Sequence, residues 1–158
     1  MQSAISCGTD SFFASDQYAH DGYFYHPLDC HADMGCRMIS YTWPEFERDV
    51  RCIVHMVRES PVKYTSVYTF PRGGLPLGVC LSHALSLPLL IHGKDTPEQT
   101  SLIVDEISDH GATLDDFRMF DVVVIHKHLW SKAKLTFWLH EVVDWVRYPW
   151  EIDNVEKH

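Results

Sequence analysis

The chain has 158 residues, and its 13 Lys and Arg against 22 Asp and Glu give a formal net charge of −9. Hydrophobic residues make up 46% and charged residues 22%, which is typical of a globular domain and excludes a mainly disordered chain. The negative charge argues against a nucleic-acid partner bound by neutralising phosphates over a wide surface, but it permits a small phosphorylated ligand at a local anion site.

The cysteines and the first residues favour a cytoplasmic protein. The five cysteines are Cys7, Cys30, Cys36, Cys52 and Cys80. An odd count fits reduced thiols better than a set of disulfides. The first residues lack the basic and apolar regions of a secretory signal, so none is expected. No apolar run is long enough to cross a membrane, so no membrane partner is expected either.

Residues 1–40 are predicted to form an irregular N-terminal extension, followed by a domain at 41–158. The extension is rich in Ser, Asp, Gly, His and aromatic residues and shows no sustained period. Five residues of metal-ligating types cluster within it: His20, His26, Cys30, His31 and Cys36. A structural zinc site is one interpretation, because Zn²⁺ takes four nitrogen or sulfur ligands. The cluster lacks a Cys-x-x-Cys pair, so a segment that merely tolerates histidine is the other.

Helices and strands are predicted to alternate from Thr42 onward. Thr42, Pro44 and Glu45 form a helix start, and apolar residues then recur at helical spacing to about Glu59. Strands are predicted at 64–70, 87–91, 101–104, 119–126 and 135–139, and further helices at 75–85 and 112–118. This alternation predicts an α/β domain with a mostly parallel twisted sheet flanked by helices.

The strongest functional signal is the segment 102–114. A buried strand leads to the adjacent carboxylates of Asp105 and Glu106, then to a Gly-containing turn and a helix start. The amides of 109–113, with the Thr113 hydroxyl, are expected to bind a phosphate at a positive helix end. The carboxylates suit hydroxyl groups or a divalent cation. The alternative interpretation is a solvated acidic loop and an ordinary helix cap.

Two further segments place donors at the same edge of the predicted sheet, since ligands bind at the carboxyl ends of its strands. In one, Gly73 and Gly74 let backbone amides approach an anion, and Arg72 adds a fork of donors. In the other, Lys127 is expected to end a strand. Taken alone, the first fits a strand-to-helix turn equally well, and the second fits an exposed lysine better.

Together these segments resemble type I phosphoribosyltransferases, in the branch that acts on xanthine, guanine and hypoxanthine. The resemblance covers 41–151. It implies that Asp105 and Glu106 contact the ribose hydroxyls and Mg²⁺. It also implies that the next loop holds the 5-phosphate of 5-phosphoribosyl-1-pyrophosphate. The residues of that loop are Asp109, His110, Gly111, Ala112 and Thr113.

The resemblance also assigns a catalytic residue and a pyrophosphate loop. Asp109 matches a carboxylate that exchanges a proton with the purine ring near N7. Arg72, Gly73 and Gly74 match the loop that holds the leaving pyrophosphate, and that loop often contains a cis peptide beside the arginine.

The base-binding end follows from the same resemblance. Lys127 matches a lysine that donates to the purine 6-oxo group, Trp145 an aromatic residue that stacks on the base, and Val146 a residue whose backbone reads the base edge. The implied activity is Mg²⁺-dependent transfer of a phosphoribosyl group to guanine, xanthine or hypoxanthine in purine salvage, by a homodimer or homotetramer.

Two departures from the family pattern keep other hypotheses open. His110 stands where the family usually has Thr, and only His92–Thr100 occupies the place of a long loop that closes over the reacting centre. Either the extension or a neighbouring subunit supplies that lid, or the protein is a catalytically weak or inactive nucleotide-binding sensor or structural module. A third hypothesis is an interaction module whose N-terminal metal cluster is the functional part.

Overall fold

A computed structural model of the chain describes residues 38–151. The N-terminal histidine and cysteine cluster lies outside these residues, so the zinc interpretation stays a prediction, as does the division into 1–40 and 41–158. The elements in chain order are β1 (Met38–Ser40), α1 (Trp43–Glu59), β2 (Ser66–Thr69), α2 (Leu75–Leu85), β3 (Leu89–Ile91), β4 (Ser101–Ser108), a 3₁₀ turn (Asp115–Phe117), β5 (Asp121–His128), β6 (Phe137–Val142) and β7 (Trp145–Arg147). None of the helices between residues 38 and 151 has the length and apolar character needed to cross a membrane.

Five parallel strands form the main sheet, in the order β3-β2-β4-β5-β6. The predicted α/β architecture is therefore confirmed. A separate pair joins β1 to β7 in parallel, with Met38 opposite Trp145 and Ser40 opposite Arg147. The last residues before the predicted domain thus pair with its C-terminal segment.

The start of α1 is fixed by a reciprocal cap, as the sequence predicts. Glu45 N donates to Thr42 Oγ1 (3.4 Å), and Thr42 N donates to Glu45 Oε2 (2.8 Å), so two amides of the first turn are satisfied. The apolar positions of the helix face the sheet, and its buried residues are Phe46, Asp49, Ile53, Val54 and Val57.

Both α-helices described here pack on the same face of the sheet. Leu77 and Leu81 of α2 are fully buried there beside the apolar face of α1. The bounds of α2 are those predicted from the sequence. The opposite face is covered by strand side chains and by the connections between strands. The buried residues on that face are Tyr68, Phe70, Ile103, Leu114, Phe117, Val122, Val124 and Leu135.

Several element boundaries differ from the prediction, and three of these differences concern the residues expected to bind a ligand. The strand predicted to end at Val104 continues to Ser108, because the residues after Val104 pair with β5. The helix predicted at 112–118 is wrong: the connection to β5 forms the 3₁₀ turn, and its apolar side chains Leu114 and Phe117 pack under the sheet. Strand β5 runs to His128, so Lys127 lies inside the strand rather than at its end.

Candidate active site

An open pocket of about 290 Å³ lies at the carboxyl end of β4. It is lined by the continuous segment 105–114, which contains the acidic pair and the whole predicted phosphate loop. The structure therefore brings together Asp105, Glu106, Asp109, His110, Gly111, Ala112 and Thr113. The other predicted site residues, Arg72, Gly73, Gly74, Lys127, Trp145 and Val146, do not line this pocket.

The glycines of the predicted pyrophosphate loop nevertheless lie against the acidic pair. A Cβ atom at Gly73 would overlap the carboxylate of Glu106, and one at Gly74 would lie 2.8 Å from Asp105 Oδ1. Only residues without a side chain allow this approach. The peptide bond between Pro71 and Arg72 is cis, as the resemblance implies, and the Arg72 side chain is exposed.

The acidic pair consists of two adjacent carboxylates, one of which has a buried oxygen without a hydrogen bond among the described residues. Burial, together with a hydrogen bond to the carboxylate of Glu106 and the charge of that carboxylate, raises the pKa of Asp105 well above its ordinary value. Glu106 Oε2 is buried and accepts no hydrogen bond from the described residues. Two adjacent carboxylates with an orphaned oxygen favour a positive or hydrogen-donating ligand at this place.

The predicted phosphate loop turns sharply at Gly111. The φ angle of Gly111 is +88°, and a Cβ atom there would lie 2.7 Å from Ala133 N. Glycine is needed both for the left-handed backbone and for the close packing on the β5–β6 connection. Ala112 and Thr113 are exposed after this turn, so their polar groups face solvent at the pocket.

The loop does not use the positive end of an α-helix. The element that follows is the 3₁₀ turn Asp115–Phe117, whose first residues are acidic. The helix-end contribution predicted for phosphate binding is therefore wrong, because the loop leads into this 3₁₀ turn and not into an α-helix. The loop amides at the left-handed turn and the Thr113 hydroxyl remain as donors.

Asp109 lies in the pocket with both carboxylate oxygens hydrogen-bonded. Trp130 Nε1 donates to Oδ1 (3.0 Å), and His110 Nδ1 is 3.0 Å from Oδ2. The His128 Nε2 atom lies 4.0 Å from Oδ1. About a third of the Asp109 side chain remains exposed, which leaves access for a ligand.

The predicted base-binding lysine faces the β6 side of the sheet. Lys127 Nζ donates to Glu141 Oε1 (3.1 Å) and lies 5.1 Å from the centroid of the Trp138 ring. Its side chain is 21% exposed. Its neighbours His126 and His128 are buried and are used by other contacts.

Trp145 and Val146 lie in β7, next to the N-terminal strand. The Trp145 side chain is 44% exposed, whereas that of Val146 is 2% exposed and belongs to the main core. The C-terminal segment is joined to the pocket by Tyr148, whose Oη donates to the backbone carbonyl of Glu106 (3.1 Å).

Comparison with solved structures gives several close matches in fold. A purine phosphoribosyltransferase from Pyrococcus horikoshii is 23% identical, with 77% of this chain and 99% of that chain covered at a TM-score of 0.64. A xanthine-guanine-hypoxanthine phosphoribosyltransferase from Helicobacter pylori is 21% identical, with 74% and 94% covered at 0.67. A hypothetical protein from Neisseria gonorrhoeae with bound ppGpp is 19% identical, with 77% and 93% covered at 0.62. No family model and no curated relative matches the sequence.

The chain has the type I phosphoribosyltransferase fold. The matches cover about three quarters of this chain and more than nine tenths of each neighbour. Two of these neighbours are named for purine transfer, in agreement with the purine-branch resemblance seen in the sequence.

Within this phosphoribosyltransferase fold, sequence reasoning missed the contribution of the β5–β6 connection. Besides the Trp130 contact with Asp109, Ser131 Oγ is 2.7 Å from Ser108 Oγ, and Lys132 N is 3.5 Å from the His110 carbonyl. The order of the strands places β5 beside β4, so the residues that follow β5 were candidates to border the loop after β4. No local pattern identified which of them would do so.

Proposed function

We propose that the protein transfers a phosphoribosyl group from 5-phosphoribosyl-1-pyrophosphate to a 6-oxopurine base and releases pyrophosphate. The observation that carries this proposal is the contact between Gly73 and Gly74 and the buried acidic pair, beside the Asp109–Thr113 loop. This arrangement offers two groups of backbone amides for two phosphate clusters, with carboxylates between them for the ribose hydroxyls. The fold shared with purine phosphoribosyltransferases supports it.

The residues fit a magnesium ion at the acidic pair. Mg²⁺ is bound in proteins by one or two carboxylates together with water and substrate phosphates. A divalent cation would bind the buried Glu106 Oε2, which has no hydrogen bond among the described residues. It would also favour the ionised form of Asp105, whose pKa is raised in its absence. No group of three or more His, Cys, Asp or Glu side chains in 38–151 is arranged to hold a metal. When bound, Mg²⁺ would neutralise pyrophosphate charge.

In the proposed reaction, residues of the protein orient the two substrates and accept one proton. A purine nitrogen bonds to C1 of the ribose as the bond from C1 to the pyrophosphate oxygen breaks. The proton lost by the purine ring passes to the Asp109 carboxylate, while Arg72 and the two glycines hold the departing pyrophosphate. Lys127 donates a hydrogen bond to the 6-oxo group. Positioning of the two substrates and fixed charges near C1 supply most of the acceleration.

A second candidate is a nucleotide-binding protein without turnover. The connection that replaces the family's long loop is tied down at its start, since Ile91 N donates to Asp95 Oδ2 (2.8 Å) and Asp95 N donates to the Ile91 carbonyl (2.9 Å). Lys94 is its single Lys or Arg residue. The Neisseria gonorrhoeae neighbour, with its bound ppGpp, shows a nucleotide on a related fold.

One experiment separates the two candidates. The purified chain is incubated with 5-phosphoribosyl-1-pyrophosphate, Mg²⁺ and each of guanine, xanthine and hypoxanthine, and nucleotide product is measured by absorbance and chromatography. Product with one or more bases supports transfer. Absence of product with all three bases, alongside calorimetric binding of a nucleotide, supports the second candidate and ends the first.

Asp109→Asn separates proton transfer from binding in the same assay. We expect a large loss of kcat with little change in the affinity for 5-phosphoribosyl-1-pyrophosphate, because the amide keeps the shape but cannot take the proton. Equal losses of both would contradict the role given to Asp109.

The proposed active form is a homodimer or homotetramer. Large apolar side chains remain exposed at Met119 (91%) and Leu129 (58%), which is consistent with surface left for a second copy. Sedimentation equilibrium decides this point, and a monomer at assay concentration would rule it out.

A further inference from the structure

Asp109 is held by two donors that come from different parts of the chain. His110 follows it directly in the loop, whereas Trp130 lies after β5 in the connection to β6. Each donor takes one oxygen at 3.0 Å, so rotation of the carboxylate about its last bond is blocked from both sides. An ionised carboxylate has about four acceptor positions, so positions remain for a ligand after these two bonds.

Trp130 is itself held in place by the sheet. Its ring stacks on the imidazole of His128, with centroids 4.3 Å apart and an angle of 22° between the planes. His128 belongs to β5 and is 2% exposed, so the indole rests on a buried strand residue although Trp130 is 40% exposed. The indole N–H thus reaches Asp109 from a ring that is packed on a buried strand residue.

We propose that Trp130 is a positioning residue for the proton transfer assigned to Asp109. This inference rests on the proposed function. The indole can only donate, so it orients the carboxylate without adding or removing a proton. A general base must lie within hydrogen-bond reach of the proton that it takes, in a fixed geometry. Trp130 supplies that geometry to Asp109, and His110 supplies the second constraint at the position where the family usually has Thr.

The test compares Trp130→Phe with Trp130→Gln. Phenylalanine keeps an aromatic ring on His128 but has no donor, whereas glutamine restores an N–H at similar reach. We expect Trp130→Phe to lower kcat at least about tenfold, since general acid–base groups contribute about 10²–10⁴-fold. The KM for 5-phosphoribosyl-1-pyrophosphate should stay within about twofold, because the phosphate-loop amides are unchanged. Trp130→Gln should regain part of the kcat.

Trp43→Phe is the matched control. Trp43 is 54% exposed and packs on Phe46 and Trp150, away from the pocket residues, so its replacement should leave kcat unchanged. Wild-type kcat in Trp130→Phe would overturn the inference, and so would equal changes in kcat and KM. A wild-type protein without turnover would overturn the proposed function and this inference together, so the two failures are distinguishable.

A spectroscopic measurement covers the case in which Trp130→Phe does not fold. The indole ¹H–¹⁵N resonance of Trp130 should move in Asp109→Asn, because a charged acceptor is replaced by a neutral one. The resonance of Trp43 should not move. An unmoved Trp130 resonance would show that the pair does not form, and the inference would fail.

Discussion

The Oη atom of Tyr148 donates a hydrogen bond to the backbone carbonyl of Glu106 at 3.1 Å. The Tyr148 Oη atom also lies 2.9 Å from His126 Nδ1. Because the single hydroxyl proton is donated to Glu106, His126 Nδ1 is the donor in this second hydrogen bond. Burial, followed by the charge of His140, lowers the pKa of His126 to about 3, so this imidazole is neutral at ordinary pH. A buried tyrosine thus connects the C-terminal segment to the backbone of the acidic pair.

Tyr148→Phe should lower the free energy of unfolding by about 1–3 kcal/mol, because it leaves the His126 donor and the Glu106 carbonyl without their partner. Urea unfolding measures this change. Tyr68→Phe on the other face is the control: its Oη contacts the exposed His92, so the expected loss is about 0.5–1.5 kcal/mol. Equal losses in both variants would contradict the role given to Tyr148.

Asp105→Asn should make the protein more stable at neutral pH, by roughly 0.5–2 kcal/mol. The pKa of Asp105 is raised in the folded chain, above an unfolded value of about 3.9. The stability that Asp105 contributes is therefore fully present below that value and is lost as the pH rises through the folded pKa. Asparagine does not titrate, so the variant should lack this loss. Urea unfolding at a series of pH values tests it, and parallel profiles for the two proteins would refute it.

Magnesium should raise the unfolding temperature of the wild-type protein, and more at alkaline than at acidic pH, because the cation binds the ionised carboxylates. At a free concentration about 100 times its Kd it would add about 2.7 kcal/mol. Differential scanning calorimetry with and without MgCl₂ measures the effect, with Asp105→Asn as the variant that should lose most of it. A similar rise in both proteins would place the cation elsewhere.

Gly73→Ala should displace the Glu106 carboxylate, because the added methyl group would occupy its position. We expect a loss of about 1–3 kcal/mol in stability, together with loss of 5-phosphoribosyl-1-pyrophosphate binding in calorimetry. Gly93→Ala is the control, since a Cβ there meets nothing within 4 Å although the φ of +83° makes alanine unfavourable. It should lose stability but keep ligand binding. Unchanged binding in Gly73→Ala would argue that the two loops do not share a ligand.

Lys127→Gln should raise the KM for the purine about 10- to 100-fold, as expected for loss of a hydrogen bond from a charged donor. The KM for 5-phosphoribosyl-1-pyrophosphate should not change. Lys134→Gln is the matched control, because Lys134 is exposed and donates to the Arg118 carbonyl (3.4 Å), away from the pocket residues. If Lys127→Gln raised the KM for the purine and the KM for 5-phosphoribosyl-1-pyrophosphate together, Lys127 would act through its general positive charge and not by recognising the base.

Local signals predicted the two α-helices well but wrongly predicted a third helix at 112–118. The Thr42 and Glu45 cap and the apolar spacing after it fixed the start of α1, and the predicted bounds of α2 match the structure. The end of β4 was missed because Asp105 and Glu106 look like loop residues in isolation, and their strand conformation comes from pairing with β5. Strand pairing is a tertiary effect that a local pattern does not contain.

The candidate site was predictable where its residues are consecutive. The acidic pair and the loop after it line one pocket, and the Gly-Gly turn reaches them through the sheet order. Contacts between distant residues, such as Trp130 with Asp109 and Tyr148 with Glu106, left no signal in the spacing. They depend on how the connections fold over the sheet edge rather than on local propensity.

The tied connection between β3 and β4 has a consequence for product distribution. Its hydrogen bonds hold it at Ile91 and Asp95, and at its other end Glu98 N donates to Ser101 Oγ (2.8 Å). Under the proposed function, a connection held in this way would leave the ribose open to water. If the proposed transfer takes place, water would compete with the purine for the ribose carbon, and turnover should yield some ribose 5-phosphate beside nucleotide. The ratio of hydrolysis to transfer would measure how well the remaining walls of the site keep solvent out.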